Sequence, residues 1–478
     1  MGVLVMTRER MKTSIGHHTF TMSRRILGDD YIDRDFIRSG RISPRSQAAM
    51  KLLRDVVDYM CKSGEIDIHV PLQKTYHWRP ANRKKLPNGK VDVEHHGIWK
   101  IVYTSEHLKG LSWILRYNTH SADYREYVIE ARINPKVFVG IKDYITASDS
   151  RYLLEVEKKF NEEAIKISPL LGQFYQYKPK RIDFCINFEL RELGILCSPE
   201  QMMWLIKRGD YPSHFKELRH YDKTSHRMKS PCKCSHYLKS GAVNINAYYK
   251  YRQLKKDFPG CPNIEDALHI IRFEVQCKYS KTYVMWRFEQ ERLKQEEESR
   301  YREHRERRGF DEEQSHESMI YSRLDTDPLK IIHSMLSDVT AEDIIKKYFK
   351  QMIRPGDYYT LAEAVSRIED ASFNPAVEQV IIDTLESINR IGIAKTRALL
   401  ETPQAKMRFY KTLEALARLN INPVTIPKSF KVRHIPNLLE SFYRLRDTGR
   451  LDNAVFDDPY EPLDIPSGDG CIISVLEK

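Results

Sequence analysis

Three short polar motifs in this chain combine carboxylates, cations and tyrosines at strand-like spacing. They are Arg181-Ile-Asp183, Tyr248-Tyr-Lys250 and Arg272-Phe-Glu274. Carboxylates bind hard divalent cations, guanidinium and ammonium groups bind phosphate, and a tyrosine hydroxyl can act as a nucleophile. A surface that gathered these groups could therefore bind a phosphate-bearing partner and act on it.

Alternation along three segments predicts the elements that position these motifs. Successive side chains of a strand point to opposite faces, and residues 181–188, 243–250 and 270–278 each alternate apolar and polar types. We expect three strands of one sheet, with an apolar side covered by helices and a charged side facing out. An ordinary half-hydrated antiparallel sheet shows the same alternation, so a structural and a functional interpretation both stay open.

Bulk composition limits the class of protein. The chain has 478 residues, a hydrophobic fraction of 41% and a net charge of +12, which favours a polyanionic partner such as nucleic acid or an anionic membrane surface. Without an apolar run near the ~20 residues that span a bilayer, or a secretory signal, we expect a cytoplasmic protein.

The eight cysteines fit a reducing compartment. Cys232-Lys-Cys-Ser-His236 could hold zinc but lacks a second cysteine pair.

Shifts in composition divide the chain into five predicted regions. These are a basic N-terminal arm and helix (1–64), an α+β domain (65–286), a charged helical linker (287–325), a helical domain (326–445) and a flexible tail (446–478). The element order predicts an α+β fold, with an antiparallel RRM-like or ferredoxin-like sheet that carries helices on one face. The all-helical C-terminal part could form a plain bundle or a helix-turn-helix unit that binds DNA.

Taken in order, the three motifs resemble those of rolling-circle replication initiators of the trans-acting plasmid type. More loosely, they resemble the replication endonucleases of filamentous phages. Those families show an Arg-x-Asp strand, a Tyr-x-Lys strand after a tyrosine-led hairpin, and an Arg-x-Glu strand. The hairpin here is Tyr237-Leu-Lys-Ser240, and the resemblance covers residues 95–285.

Two features depart from related nicking enzymes. Four residues after Asp183, where the family has a second acid, this chain has Asn187. Many nicking enzymes also use two metal-binding histidines one residue apart, a spacing that the sequence lacks. The adjacent His95 and His96 would point to opposite faces of a regular strand.

The resemblance implies site-specific nicking and joining of DNA through a tyrosine, with Mg²⁺ or Mn²⁺ as the cofactor. It implies Tyr248 or Tyr237 as the nucleophile, with Lys250 as a further catalytic residue. The implied metal ligands are Asp183, Glu274 and Asn187. The expected DNA contacts are Arg181, Arg272 and Lys278, together with Arg83, Lys84 and Lys85 in a basic loop.

The implied partners are the origin DNA, a host helicase and polymerase, and a second copy of the chain in a homodimer; no membrane partner is expected. The main alternative is a non-catalytic DNA-binding regulator of replication. An RNA-binding module ranks last, because RRM-type readers need several exposed aromatic residues on the central strands and only Tyr248 lies on the three polar faces.

Overall fold

The computed structural model shows an α+β fold. An antiparallel sheet is built from the first part of the chain and helices follow it in the C-terminal part, as predicted. The structure describes residues 11–25, 51–52, 55, 77–85, 91–104, 109–121, 124–218, 221–222, 227–228, 233–308 and 327–448.

Ten strands of the described ranges form one sheet, and two strand pairs lie apart from it. The strands are β1 Ser14–Arg25, β2 His77–Lys85, β3 Val91–Thr104, β4 Leu111–Ser121, β5 Tyr124–Ile133, β6 Lys178–Glu189, β7 Lys216–Glu217, β8 Tyr221–Asp222, β9 Arg227–Met228, β10 Ser235–Lys239, β11 Val243–Tyr249, β12 Ile270–Cys277, β13 Tyr358–Tyr359 and β14 His434–Ile435. The sheet order is β2-β3-β4-β5-β1-β6-β12-β11-β10-β7, whereas β8 pairs with β9 and β13 with β14.

Helices connect the strands and make up most of the C-terminal part. They are α1 Pro135–Val139, α2 Leu153–Ile167, α3 Pro199–Lys207, α4 Lys250–Asp257, α5 Tyr279–Arg308, α6 Pro328–Met335, α7 Asp338–Met352, α8 Leu361–Asp370, α9 Pro375–Ile391, α10 Ile393–Ala398, α11 Pro403–Arg418 and α12 Leu438–Asp447. Within the described ranges, no helix is both long and apolar enough to cross a membrane.

The chain crosses from β5 to β6 through α1 and α2, and β1 lies between those two strands. Because β1 is antiparallel to both, β5 and β6 run parallel to each other. This split β-α-β crossing is the connection expected of a ferredoxin-like fold. The sheet is wider than the four strands of an RRM, since the β2–β5 meander extends it on one side.

Helices cover the apolar face of the sheet, as the alternation predicted. The ring of Phe349 in α7 lies 5.5 Å from that of Phe188 in β6 and 5.4 Å from that of Phe273 in β12, between centroids. Full burial of one such ring stabilises the fold by roughly 1.5–3 kcal/mol. The C-terminal helices therefore share a hydrophobic core with the sheet.

Helix α5 begins within the predicted α+β domain and carries the charged segment. Its first turns are tied to the sheet: the hydroxyl of Thr282 donates to the carbonyl of Lys180 at 3.2 Å, and the ammonium of Lys178 lies 5.3 Å from the ring centroid of Trp286. The rest of the predicted linker, the tail from residue 449, and most of the predicted N-terminal arm and helix lie outside the described residues.

Strand β1 corrects the prediction of an irregular basic arm. Ser14–Arg25 lies in the middle of the sheet, paired with β5 and β6. The pairing register with β6 shifts between His17 and Thr19, which marks a β-bulge. A bulge adds one residue to a strand and re-aims the side chains around it.

Gly16 allows another part of the backbone to approach β1. A Cβ atom at this position would lie 2.0 Å from the carbonyl oxygen of Ser148. The backbones of His17 and Ser148 exchange two hydrogen bonds, of 2.8 and 2.9 Å. The segment that contains Ser148 is therefore held directly against the bulge.

We expect Gly16→Ala to lower the free energy of unfolding by about 1–3 kcal/mol, because the clashing atom is backbone and cannot rotate away. Gly241→Ala, at the turn between β10 and β11, is the matched control, since nothing lies within 4 Å of a Cβ added there. Urea denaturation measures both variants. Equal free energies of unfolding for the two would contradict this account of Gly16.

Candidate functional site

The three polar motifs lie side by side on one face of the sheet. Strand β12 is central and pairs with β11 on one side and β6 on the other. Directly opposed residues of antiparallel strands share a face. The resulting cross-strand rows are Tyr248–Arg272–Asn187, Tyr237–Asn246–Glu274–Cys185 and Lys239–Asn244–Gln276–Asp183. Asp183 and Glu274 are thus diagonal neighbours on adjacent strands.

This polar face is buried, which corrects the expectation that it faces solvent. Asp183 is 1% exposed, Arg272 0% and Glu274 4%. Tyr237 and Arg181 are only half-buried, so they form a more accessible rim. A buried charge is unfavourable unless it is paired or hydrogen-bonded. We therefore expect each buried charged residue of this face to contact a polar partner.

Asp183 is held by a cation and a hydroxyl. Arg181 donates to both of its carboxylate oxygens, from Nε and from Nη2, each at 2.7 Å. The hydroxyl of Thr19 in β1 donates to Oδ2, also at 2.7 Å. The Arg-x-Asp motif is therefore an intramolecular two-point ion pair, and Arg181 would have to share its guanidinium with any phosphate.

Glu274 accepts hydrogen bonds from Tyr248 and Gln276. Its Oε2 accepts from the hydroxyl of Tyr248 at 3.1 Å, and its Oε1 accepts from Nε2 of Gln276 at 3.2 Å. Burial and the nearby charge of Asp183 raise the pKa of Glu274. Burial and the charge of Glu274 raise the pKa of Tyr248 well above its ordinary value.

Arg272 spans the buried end of the face. Its Nε donates to Oδ1 of Asn187 at 2.7 Å, and its Nη2 donates to the carbonyl of Ile145. Asn187 also donates to that carbonyl, at 2.6 Å. The amide of Asn187 thus positions Arg272, so it is not open as the predicted metal ligand. Buried Nη1 of Arg272 has no hydrogen-bond partner in the described part of the chain.

Lys250 was predicted on the polar face of a strand, but it is the first residue of helix α4. Its buried ammonium donates to Oε1 of Gln253 at 2.9 Å. Burial and the nearby charge of Arg272 lower the pKa of Lys250 to about 7. Near neutral pH a fraction of this amine is therefore uncharged and able to accept a proton.

The lowered pKa of Lys250 predicts that stability rises with pH. Between the folded pKa of about 7 and the ordinary value near 10.4, the unfolded chain binds more protons, which favours folding as pH increases. We expect the wild type to gain about 1–2 kcal/mol relative to Lys250→Met from pH 7 to 8.5, since the titrations of all other groups are common to both proteins. Urea denaturation at several pH values measures this, and parallel profiles for the two proteins would contradict it.

His18 belongs to the site although the sequence did not single it out. It is half-buried, and its pKa is well below the ordinary value because of burial and the charges of Arg272, Lys250 and Arg181. The preceding His17 is fully buried beside Phe20, 5.9 Å between ring centroids. The bulge in β1 therefore sends one histidine into the apolar core and leaves a neutral imidazole on the polar face.

The remaining predicted DNA contacts lie at different places. Lys278 directly follows β12 and donates to the carbonyl of Ser240 at 2.7 Å. Burial, Lys239 and Arg181 lower its pKa, so cations gather at this edge of the face. Residues Arg83, Lys84 and Lys85 were predicted in a loop, but they belong to strand β2, at the far end of the sheet from β12.

The carboxylate pair suits a divalent cation in its chemistry. Burial and repulsion from Asp183 raise the pKa of Glu274, and a bound dication would relieve that repulsion. Mg²⁺ commonly uses one or two protein carboxylates, with water and substrate phosphate as its other ligands. Among the described residues no group of three histidine, cysteine or acidic side chains is arranged to hold a metal, so the protein would supply only part of the coordination.

Comparison with known proteins leaves the site unassigned. No protein-family model, no curated protein and no solved structure matches the chain. A function must therefore be argued from the residues of this chain.

Proposed function

We propose that this chain is a replication initiation protein of a plasmid, phage or mobile element that nicks and rejoins one DNA strand at an origin. The observation that carries the proposal is the gathering of Asp183, Glu274 and two tyrosines on one sheet face. Arg181 and Arg272 lie on the same face. Lys250, the first residue of α4, is buried close enough to Arg272 for that charge to lower its pKa. Carboxylates, cations and a phenol are the groups that phosphodiester transfer to tyrosine requires.

Tyr237 is the better nucleophile of the two tyrosines. Tyr248 is 6% exposed and its hydroxyl is committed to Glu274, so a phosphodiester could not reach it without opening the cluster. Its raised pKa also disfavours the phenolate. Tyr237 is half-buried on the adjacent strand β10, on the same face, where a DNA strand can approach.

In the proposed reaction the phenol oxygen of Tyr237 attacks a backbone phosphorus. A bond forms between that oxygen and phosphorus, and the bond from phosphorus to the 3′ oxygen breaks. The products are a 5′ phosphotyrosine and a free 3′ hydroxyl. A base of the cluster takes up the phenol proton, and the leaving 3′ oxygen gains a proton from an acid or from water. Attack by a 3′ hydroxyl on the phosphotyrosine reverses the step and joins the strand.

Two groups of the cluster can take part in the proton transfer. A general base works best when its pKa lies near the working pH. Burial lowers the pKa of Lys250 to about 7 and raises that of Glu274, so both shift toward neutrality. Arg272 is fully buried, so the half-buried Arg181 is the guanidinium better placed to stabilise the charge that develops on the phosphate.

Mg²⁺ or Mn²⁺ would be held by Asp183 and Glu274. When bound there, the cation would neutralise charge on the phosphate oxygens. Asp183 would then exchange part of its contact with Arg181, which would free a guanidinium edge for the DNA backbone.

A second candidate is a non-catalytic DNA-binding regulator of replication. The two-point ion pair between Arg181 and Asp183 favours it, because buried charges that satisfy one another can serve a structural role alone. In that case the site is a polar core, and DNA is bound by basic surfaces elsewhere.

Incubation with supercoiled plasmid that carries the element's own DNA tests the proposal. With Mg²⁺ or Mn²⁺, we expect open circles with protein attached to a 5′ end, and removal of the cation by EDTA should stop their formation. Denaturing gels resolve the attached protein, and end-labelling identifies the free 3′ hydroxyl. Binding of the plasmid without any nick would favour the regulator.

A further inference from the structure

Helix α11 presents an exposed polar face at its N-terminal half. Gln404, Met407, Arg408 and Lys411 follow the helical repeat and are all exposed, with Met407 at 53%. The opposite face is buried through Phe409 and residues that follow it. The helix is thus packed on one side and open on the other.

The neighbouring helices form a scaffold for this face. Helix α9 packs against both α10 and α11, with Ile381, Leu385 and Ile388 buried. Residues 399–402 join α10 to α11 in a short turn, and the hydroxyl of Thr402 caps α11 by accepting from the amide of Ala405 at 3.1 Å. Helix-turn-helix units join their two helices by a turn of about 3–4 residues.

Charge is segregated between these helices. Residues 393–418 contain six basic and two acidic residues, whereas helices α8 and α9 contain six acidic and two basic ones. In the part of the chain that the structure describes, the side chains of Lys406, Arg408 and Lys411 form no hydrogen bond or ion pair. These cations are therefore available to an anionic partner.

We propose that α11 is a recognition helix that enters the major groove of duplex DNA. The major groove is about 12 Å wide and admits one α-helix. Arginine, lysine and glutamine are side chains that contact base edges there, and Gln404 and Arg408 lie on the exposed face for that purpose. Lys406 and Lys411 bind the flanking phosphates. The inference deepens the proposed function and rests on it for DNA as the substrate class, since it names the element that finds the origin.

Fluorescence anisotropy with the full chain, EDTA and a random-sequence duplex of about 30 base pairs tests the phosphate contacts. The combined variant Lys406→Ala, Arg408→Ala and Lys411→Ala should raise Kd at least tenfold, and should reduce the slope of log Kd on log salt by roughly 0.9 per lost contact. Lys158→Ala is the matched control, because Lys158 is an exposed lysine on α2. Circular dichroism checks that the variants stay folded.

Selection from a randomised duplex pool tests base recognition. The wild type should enrich a consensus sequence, and Arg408→Ala or Gln404→Ala should relax it at particular positions. A triple variant that binds like Lys158→Ala, or a wild type that enriches nothing, would overturn the inference. EDTA prevents cleavage in the binding experiments, so they test α11 independently of nicking. Binding that depends on α11 would support this inference even if nicking is never found. Conversely, nicking that is unaffected by substitutions in α11 would contradict this inference and leave the proposed nicking activity supported.

Discussion

Glu274→Gln is expected to stop strand cleavage while the fold and duplex binding persist. Glutamine retains the shape of the side chain and can still form hydrogen bonds with Tyr248 and Gln276, which now lie 3.1 and 3.2 Å from the carboxylate. It removes the charge that would hold a cation and the group that would accept a proton. Loss of one such electrostatic group typically costs about 10²–10³-fold in rate, and loss of two roles at once should exceed that.

The same substitution should leave stability unchanged or raise it. The pKa of Glu274 is raised by burial and by Asp183, which means that its charge is unfavourable in the folded chain near neutral pH. Removal of that charge removes the repulsion. Activity and stability are therefore expected to move in opposite directions, as is common where an active site stores unfavourable charge.

Single-turnover nicking of the supercoiled plasmid, with urea denaturation of the same samples, measures both effects. Glu163→Gln is the control, since Glu163 is a buried acid on α2 that pairs with Lys166. Cleavage by Glu274→Gln within tenfold of the wild type would remove the carboxylate pair from the mechanism. A large loss of stability would instead assign Glu274 a structural role.

Alternation in the sequence was sufficient to predict the centre of the site. Strands β6, β11 and β12 fall within one to three residues of the predicted segments, and Asp183 and Glu274 share a face as the pattern required. Alternation shows which side chains lie together, but it carries no information on what covers them. The polar face is closed in part by the carbonyl of Ile145, more than forty residues from Asn187 and Arg272, and such a contact has no local signal.

Strand β1 escaped prediction because its bulge interrupts the alternation. His17 faces the apolar side with Phe184, whereas Phe20 and Met22 resume that side three residues later. After the bulge, apolar residues occupy the opposite alternate positions, so a search for strict apolar-polar alternation does not detect the strand. The adjacent pair His17-His18 carries no signal of the bulge, because neighbouring residues of a regular strand also point to opposite faces.

Lys250 was assigned to a strand although the residues that follow it favour a helix. It continues the apolar-polar alternation of β11, which predicted an extended conformation. Instead it begins a helix whose sequence Lys-Tyr-Arg-Gln-Leu-Lys-Lys is rich in strong helix formers. At the start of the helix the ammonium is buried, and burial with the nearby charge of Arg272 lowers its pKa. A residue predicted on the polar face of a strand thus lies at the start of a helix with its ammonium in the interior.

Tyr237→Phe is expected to abolish the covalent link between protein and DNA. The substitution removes only the hydroxyl, and a half-buried position on the edge of the face tolerates phenylalanine without repacking. With no attacking oxygen, the 5′ phosphotyrosine cannot form, and we expect at least a thousandfold loss of cleavage. Removal of a nucleophile commonly costs more than that.

Tyr248→Phe is the matched comparison, since it also removes a single hydroxyl from the neighbouring strand. It should slow cleavage but still yield the 5′ adduct, because its hydroxyl donates to Glu274 and orients that carboxylate without attacking. Mass spectrometry of the nuclease-digested adduct identifies the linked tyrosine. Were Tyr248→Phe to lose the adduct and Tyr237→Phe to retain it, the nucleophile would be the buried tyrosine. Cleavage would then require the sheet face to open before DNA could reach it, and opening rather than chemistry would limit the rate.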